Sequence, residues 1–398
     1  MKKTNIIAMA LAGLAALPVI AAEASEPTAG EILQGINMFT PEEGDPAYKV
    51  KANEQYGTQW AVDMAYGYWH SNNTSPDVHD NANLFLIHAQ LNQRLIENNM
   101  NGGTWLRVEF SGSWGLDSHS DKTSRMFSEG TGSATYPHAD IYGGHEGVLP
   151  EVALMQYFNN KRSCIIAGMV NLTNYFDAVG IANDSFSSFT NDGFINSSVL
   201  GLPDANLGVV LQHEIDSASY AMFAASSEAT GYGDNPFKFH GNDSFLLVGE
   251  YGRMLADGAT TIRLNPFYRY IDNMDGTSSN NVGLAGSIEH EVCDSLSVYS
   301  RAGWAARQEA GNGFDFTCGA NVKLIPSRED DFLGLAFGVF KGASPVDNDR
   351  EYVAEAMYSL QLNDYFKLVP HIQYIANPAY DPDNSDVVIM GVQGVFSF

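Results

Sequence analysis

From residue 58 to the C-terminus the chain reads as a series of extended segments, and the connections between them alternate short and long. The segments fall at 58–70, 83–97, 104–114, 150–159, 163–170, 205–215, 218–225, 243–253, 259–271, 281–292, 296–306, 313–325, 331–341, 350–362, 366–376 and 386–398, sixteen in all. Residues 98–103, 160–162, 216–217, 254–258, 293–295, 326–330 and 363–365 make the short connections. Between them, 71–82, 115–149, 171–204, 226–242, 272–280, 307–312, 342–349 and 377–385 are mostly longer and rich in Gly, Asn, Asp and Ser. A soluble sandwich or β-helix has no reason to alternate in this way, and no repeat suggests a propeller. An up-and-down barrel of the bacterial outer membrane does, with short periplasmic turns, long external loops and an even strand count.

Successive side chains of a strand point to opposite faces, so each segment is read as two stripes. In 259–271, Ile262, Leu264, Pro266, Tyr268 and Tyr270 oppose Thr261, Arg263, Asn265, Phe267 and Arg269. In 104–114, Leu106, Val108, Phe110 and Trp114 oppose Trp105, Arg107, Glu109, Ser111 and Ser113. The last twelve residues, VVIMGVQGVFSF, place Val388, Met390, Val392, Phe396 and Phe398 on one face and Gln393, Val395 and Ser397 on the other. An uncovered apolar edge of this kind would be an aggregation hazard in water, so it reads as the strand that closes a barrel. The apolar stripe is expected to meet lipid and the mixed stripe a water-filled lumen, since sixteen tilted strands enclose more space than side chains fill. Charges on the lumen side would stay solvated, with pairs such as Arg107 and Glu109, whereas Arg or Lys at the bilayer midplane costs about 2–4 kcal/mol.

The fold class that follows is all-β, a sixteen-stranded antiparallel transmembrane barrel. Lys2 and Lys3, the apolar run from Ile6 to Ile20 and the small residues Ala21, Ala22 and Ala24 read as a secretory signal peptide. The domain reading is therefore a signal peptide at 1–22, a periplasmic lead-in at 23–57 with a helical turn or two near 30–39, and the barrel at 58–398, in the outer membrane of a Gram-negative-type bacterium. Elsewhere no run approaches the roughly 20 apolar residues of a membrane-spanning helix. The formal net charge of −26 argues against nucleic acid as a partner and for a mouth that attracts cations. Cys164, Cys293 and Cys318 are too few and too odd in number for a disulfide framework. His290 and Cys293 lack a metal spacing, as do His119, His138 and His145 with Asp121, Asp140 and Glu146. No metal site and no cofactor are expected.

The stretch CIIAGMVNLTNYFDAVGIANDSFSSF, followed by LGLPDANLGVVLQHE, resembles the carbohydrate-selective porin family called OprB. The residues that carry this are Gly168, Phe176 and Asp177, Ala182 and Asn183, Phe186, Phe189, Leu202 and Pro203, and Leu207 to Val209. Arg328 to Asp331 before LGLAFG, then EAMYSLQLNDYFKLVPHIQYIANP and a last strand ending in Phe, extend the likeness over about 149–398. Where the family has Lys and Asp after the Gly, this chain has Met169 and Asn171, and its usual Arg in the Leu-Gly-Val strand is Val210. The resemblance implies a sugar-conducting pore, with fine selectivity not carried over.

A sugar-selective constriction needs donors and acceptors for hydroxyls and flat faces for rings. Lumen candidates are Arg107, Glu109, Glu250, Arg263, Asn265, Arg269, Glu355, His371 and Gln373. The long 171–204 loop is expected to fold inward and offers Asn174, Tyr175, Asp177, Asn183, Asp184, Phe186 and Phe189, although Phe186 and Phe189 read better as packing the loop to the wall. The partners are small hydrophilic solutes, sugars foremost, and outer-membrane lipid, with the barrel a monomer or a homotrimer. A barrel enzyme would need an external Ser/His or Asp/His constellation, and no nucleophile-elbow motif stands at Ser113 or Ser133. A non-transporting adhesion barrel with ligand-binding loops is the alternative reading.

Overall fold

The computed structural model describes residues 46–72, 80–97, 102–116, 130–140, 145–228, 244–255, 258–272, 277–307, 312–328, 330–345, 347, 349–380 and 386–398. The signal-peptide reading, the turns expected near 30–39, His119 and Asp121, and the side chains of His145 and Glu146 lie outside these residues. A helix, α1 (Ala47–Tyr56), precedes the barrel. Gly57, at φ 61°, ends it in the left-handed conformation that favours glycine. Tyr48 and Lys49 of α1 lie over Trp60, at 6.0 and 4.8 Å from its ring.

Sixteen strands follow in one closed sheet: β1 (Thr58–Ser71), β2 (Asn81–Ile96), β3 (Thr104–Gly115), β4 (His145–Phe158), β5 (Ser163–Val170), β6 (Asn206–Asp216), β7 (Ser219–Ser227), β8 (Phe245–Leu255), β9 (Thr260–Asp272), β10 (Ser278–Cys293), β11 (Leu296–Ala305), β12 (Phe314–Val322), β13 (Phe332–Lys341), β14 (Glu351–Asn363), β15 (Phe366–Ala376) and β16 (Asp386–Ser397). Every neighbour in sequence is an antiparallel neighbour in space, so the connections can be turns and loops without crossovers. β16 closes on β1 in the register Asp63–Ser397 to Ser71–Ile389, and Phe398 exchanges both backbone bonds with Val62 at 2.9 and 3.0 Å. That pairing removes the edge the last twelve residues would otherwise present. The expected boundaries hold to within a few residues, apart from β4, which starts at His145 instead of 150. The tight turn between β4 and β5 takes positive φ at Asn159, Asn160 and Lys161, two of them the residue type that tolerates it best.

Sidedness follows the alternation. Ile262, Leu264, Leu335, Phe337, Met390 and Phe396 are exposed on the outer surface, where lipid lies, while Arg263, Asn265, Arg269, Glu355 and Gln393 are buried inside. The interior differs from the expected open, wetted wall. Residues of two long connections, 171–204 and 130–140 between β3 and β4, hydrogen-bond to its inward-facing side chains. They rest on apolar beds. Leu172, Tyr175, Phe176, Val199 and Leu200 join Met155, Ile166, Val210, Met222, Leu246 and Val248 in one cluster. Val179, Ala182, Phe186, Phe189 and Phe194 join Leu84, Leu86, Phe340, Val353 and Met357 in another. Stretches of β5 to β8 are thus apolar inward as well as outward, at Ile166, Val210, Met222, Leu246 and Val248, beside buried polar groups such as Gln212 and Glu250.

Candidate functional site

The site is built where 171–204 meets the inward stripes of the wall. The segment leaves β5 and returns to β6 through a neck in which Leu172 N–H donates to Pro203 O at 3.1 Å. It holds little regular structure, a 3-10 turn at Leu172–Asn174 and a single helical turn, α2, at Asp192–Ile195. Backbone groups not paired within a segment must find partners elsewhere when buried. Here wall side chains provide them, and carboxylates dominate because each accepts several N–H bonds at once.

On the outgoing limb, Glu109 of β3 accepts from Asn171 at 2.9 Å and Asn174 at 2.5 Å. Glu151 of β4 accepts from Asn174 at 3.0 Å and from the Tyr175 hydroxyl. Glu250 of β8 accepts from Asp177 N–H at 2.6 Å, and also from Tyr220 at 2.7 Å and Asn265 at 2.6 Å. At the far end, Glu289 of β10 accepts from Gly180 N–H at 2.7 Å. Gln393 of β16 donates to Ser185 O and Phe186 O, both at 3.0 Å. Glu355 of β14 accepts from Thr190 N–H at 2.9 Å and Asn191 N–H at 3.1 Å, with His371 of β15 at 3.1 Å on the same carboxylate. Gln373 donates to Thr190 Oγ1 at 2.8 Å.

On the return limb, Arg301 of β11 donates to Phe194 O at 2.9 Å and Ile195 O at 3.1 Å, and pairs with the Asp177 carboxylate at 2.8 Å. Asp315 of β12 accepts from Ser197 Oγ at 2.6 Å and Val199 N–H at 3.0 Å. Arg269 of β9 donates to Leu200 O at 2.7 Å and Gly201 O at 2.6 Å and pairs with Glu228 at 2.8 Å.

The second strap, 130–140, lies against β14 to β16 and against 171–204. Glu351 accepts from Ser133 Oγ at 2.6 Å, Ala134 N–H at 2.7 Å and Ala379 N–H at 3.0 Å. Asp192 accepts from Tyr136 N–H at 2.8 Å, and Ala139 N–H donates to Thr190 O at 2.8 Å. His138 is 3.4 Å from Gln393 and stands edge-on to Trp69 with ring centroids 5.6 Å apart. Burial, with His371 adding repulsion, holds its imidazole neutral down to about 3. Asp192 is pushed the other way by burial and by Glu351, up to about 7.

The sequence-nominated wall residues therefore come together, though as partners of the segment more than as groups open to solvent. Arg107, Asn265, Gln373 and Glu355 are at most 3% exposed. The expected pair of Arg107 with Glu109 is not the one formed. In the register Arg107 stands opposite Ala153 and Glu109 opposite Glu151, and a long side chain reaches the diagonal neighbour on the adjacent strand. Arg107 pairs with Glu151 at 2.9 Å, and Glu109 faces His88 at 3.1 Å. Arg263 of β9 likewise pairs with Glu289 of the adjacent β10 at 2.7 Å. Burial corrects the expectation of solvated lumen charges, for Arg107 and Arg301 are both enclosed. On the segment, Phe189 packs against Phe194 and Tyr299, and Phe186 stacks on His88 at 6.2 Å. Asp184 and Gly180 are exposed, and Asn174, Asn183 and Ser187 are half-buried. Arg301, Asp315, Glu151, Glu351 and Gln393 escaped the candidate set. Their inward parity was legible, but nothing in a strand's own pattern says which inward group a distant segment will reach.

Comparison with known proteins gives the same architecture. Residues 271–398 match the family model described as carbohydrate-selective porin, OprB family, so the resemblance read from the sequence holds over the closing strands. No curated protein matches the chain. Among solved structures, the high-pH structure of Pseudomonas putida OprB superposes with a TM-score of 0.68 at 14% identity, covering 88% of this chain and 96% of that one. The outer membrane channel DcaP of Acinetobacter baumannii superposes with a TM-score of 0.56 at 9% identity, covering 86% and 97%. At such identities the likeness is one of fold.

Proposed function

We propose, from the premise that this chain is an outer-membrane porin whose closing strands match the OprB family, that it passes small neutral hydrophilic solutes, sugars foremost, past a constriction made by the inward-folded segment 171–204. Passive diffusion needs no nucleophile and no cofactor. It needs a wetted path whose narrowest part offers hydrogen-bonding groups without binding too tightly to release. The observation that carries the reading is the chain of wall-to-segment bonds, from Glu109 and Asn171 at one end to Asp315 and Val199 at the other, inside a closed barrel.

The buried nominees Arg107, Glu109, Glu250, Asn265, Arg269, Glu355, His371 and Gln373 act in this reading as holders of the segment. The groups left to meet a solute are those with remaining exposure: Asn174, Asn183 and Asp184 on the segment, and His88 and Glu289 on the wall, whose side chains are 28% and 18% exposed. Tyr175, Asp177, Phe186 and Phe189 fix the segment's shape. In a planar bilayer the purified protein is expected to give discrete conductance steps that fall in the presence of neutral mono- and disaccharides. A barrel that inserts but carries no current would sink the reading and favour the loop-binding alternative.

A further inference from the structure

We propose that Arg301, working with Asp177, is the latch that sets the width of the constriction: it ties the outgoing and returning limbs of 171–204 to each other and to the wall. The inference rests on the inward-folded reading of that segment. Arg301 sits on β11 and both its side chain and that of Asp177 are wholly buried. Its Nε lies 3.0 Å from Asp177 Oδ1, so the outgoing limb is held by an ion pair. Its Nη1 donates to Phe194 O at 2.9 Å and its Nη2 to Ile195 O at 3.1 Å, so the returning limb is held at the end of α2. The same Nη2 lies 3.3 Å from Asp177 O, and the other carboxylate oxygen of Asp177 accepts from Ser197 N–H at 2.6 Å. Asp177 itself has φ 55°, a left-handed turn that presents its carboxylate and its carbonyl to one guanidinium.

The remaining wall contacts differ in kind. Glu109 and Glu151 hold the start of the segment, Glu355 and Gln393 its far end, and Asp315 and Arg269 its return. Arg301 joins residue 177 to residues 194–195 through one rigid planar fork, which a flexible ammonium does not reproduce. Its loss leaves the Asp177 carboxylate buried without a counter-charge, and two carbonyls without donors. Removing one partner of a buried pair is costly because the other charge stays behind. The cheapest response is for the limbs to separate and hydrate, which widens the bore. Arg301 is 1% exposed, so it sets the width without touching the solute.

The test is single-channel recording and liposome swelling with the full-length protein and three variants: R301M, R301K and one in which residues 179–193 are replaced by a short Gly-Ser link. Heat-modifiable migration on a gel checks that each barrel has folded. The expected result is a larger conductance and a higher saccharide size limit for R301M, with frequent sub-states, and an intermediate bore for R301K. The shortened segment should give the widest pore. A folded R301M with wild-type conductance and size limit, beside a wide shortened variant, overturns the latch and leaves the constriction standing. A wild-type bore in the shortened variant overturns the constriction itself and the latch with it. Unchanged width with a raised cation preference in R301M would make Arg301 a pore-lining charge and also refute the latch. Should R301M fail to fold, R301K carries the test, and a wild-type bore there counts against it.

Discussion

A carboxylate is a compact device for holding an irregular backbone, because its two oxygens accept several donors and it has no hydrogen that needs an acceptor in return. Glu355 illustrates it, taking Thr190 N–H, Asn191 N–H and His371 at once. Replacing it by Ala orphans buried N–H groups at about 1–3 kcal/mol each, so Glu355→Ala should speed protease cleavage within 185–193. An unchanged cleavage rate would mean that the bonds are incidental. Gly168 has a different constraint. At φ 145° a Cβ would lie 2.5 Å from Val152 O, backbone that cannot step aside. Gly168→Val should therefore lower the temperature at which the folded band is lost on heating, by weakening β4–β5 pairing. At this scale the sequence told the side of the wall on which each residue stands, because parity is local. It left open whether Glu109 or Glu151 takes Arg107, because the answer depends on register across strands.

Strands and turns were legible almost to their ends, since alternation and connection length are both written in the sequence. The exceptions are physical. β6, β7 and β8 carry Val210, Met222, Ala224, Leu246 and Val248 inward, where the alternation rule expects polar groups, because 171–204 covers that wall with Leu172, Phe176 and Val199. The strap at 130–140 gave no signal either, having no periodicity of its own. Its docking involves two groups whose proton affinities oppose each other, His138 on the strap and Asp192 on α2, which accepts from Tyr136 N–H. His138 is held neutral by burial, so it favours the docked strap fully above its ordinary value near 6.5, and that contribution is lost as pH falls toward 3. Asp192 is raised, so its contribution is full below its ordinary value near 3.8 and is lost as pH rises through about 7. His138→Asn should leave a strap that loosens as pH rises, and Asp192→Asn one that loosens as pH falls. A spin label at Ala134→Cys, in a Cys293→Ser background, reads both from pH 4 to 8; identical profiles in the two variants would contradict these assignments.

As a whole the molecule is a lipid-facing cylinder whose interior is partly refilled by its own connections. Sixteen strands enclose a cross-section too wide for side chains alone, and residues of 171–204 and 130–140 bond to the inward-facing side chains of its wall. The net charge of −26 sets the field at the mouths, so a salt gradient across a bilayer should give a reversal potential of cation-preferring sign, weaker at high salt. A chloride-preferring potential would refute that charge argument. The central claim is that water and neutral sugars pass the segment inside this barrel. Liposome swelling with a graded series of uncharged saccharides tests it most directly. Monosaccharides are expected to enter rapidly, with entry falling steeply with size and the limit shifting upward when 179–193 is shortened. Liposomes that hold the folded protein yet exclude every sugar in the series would contradict it.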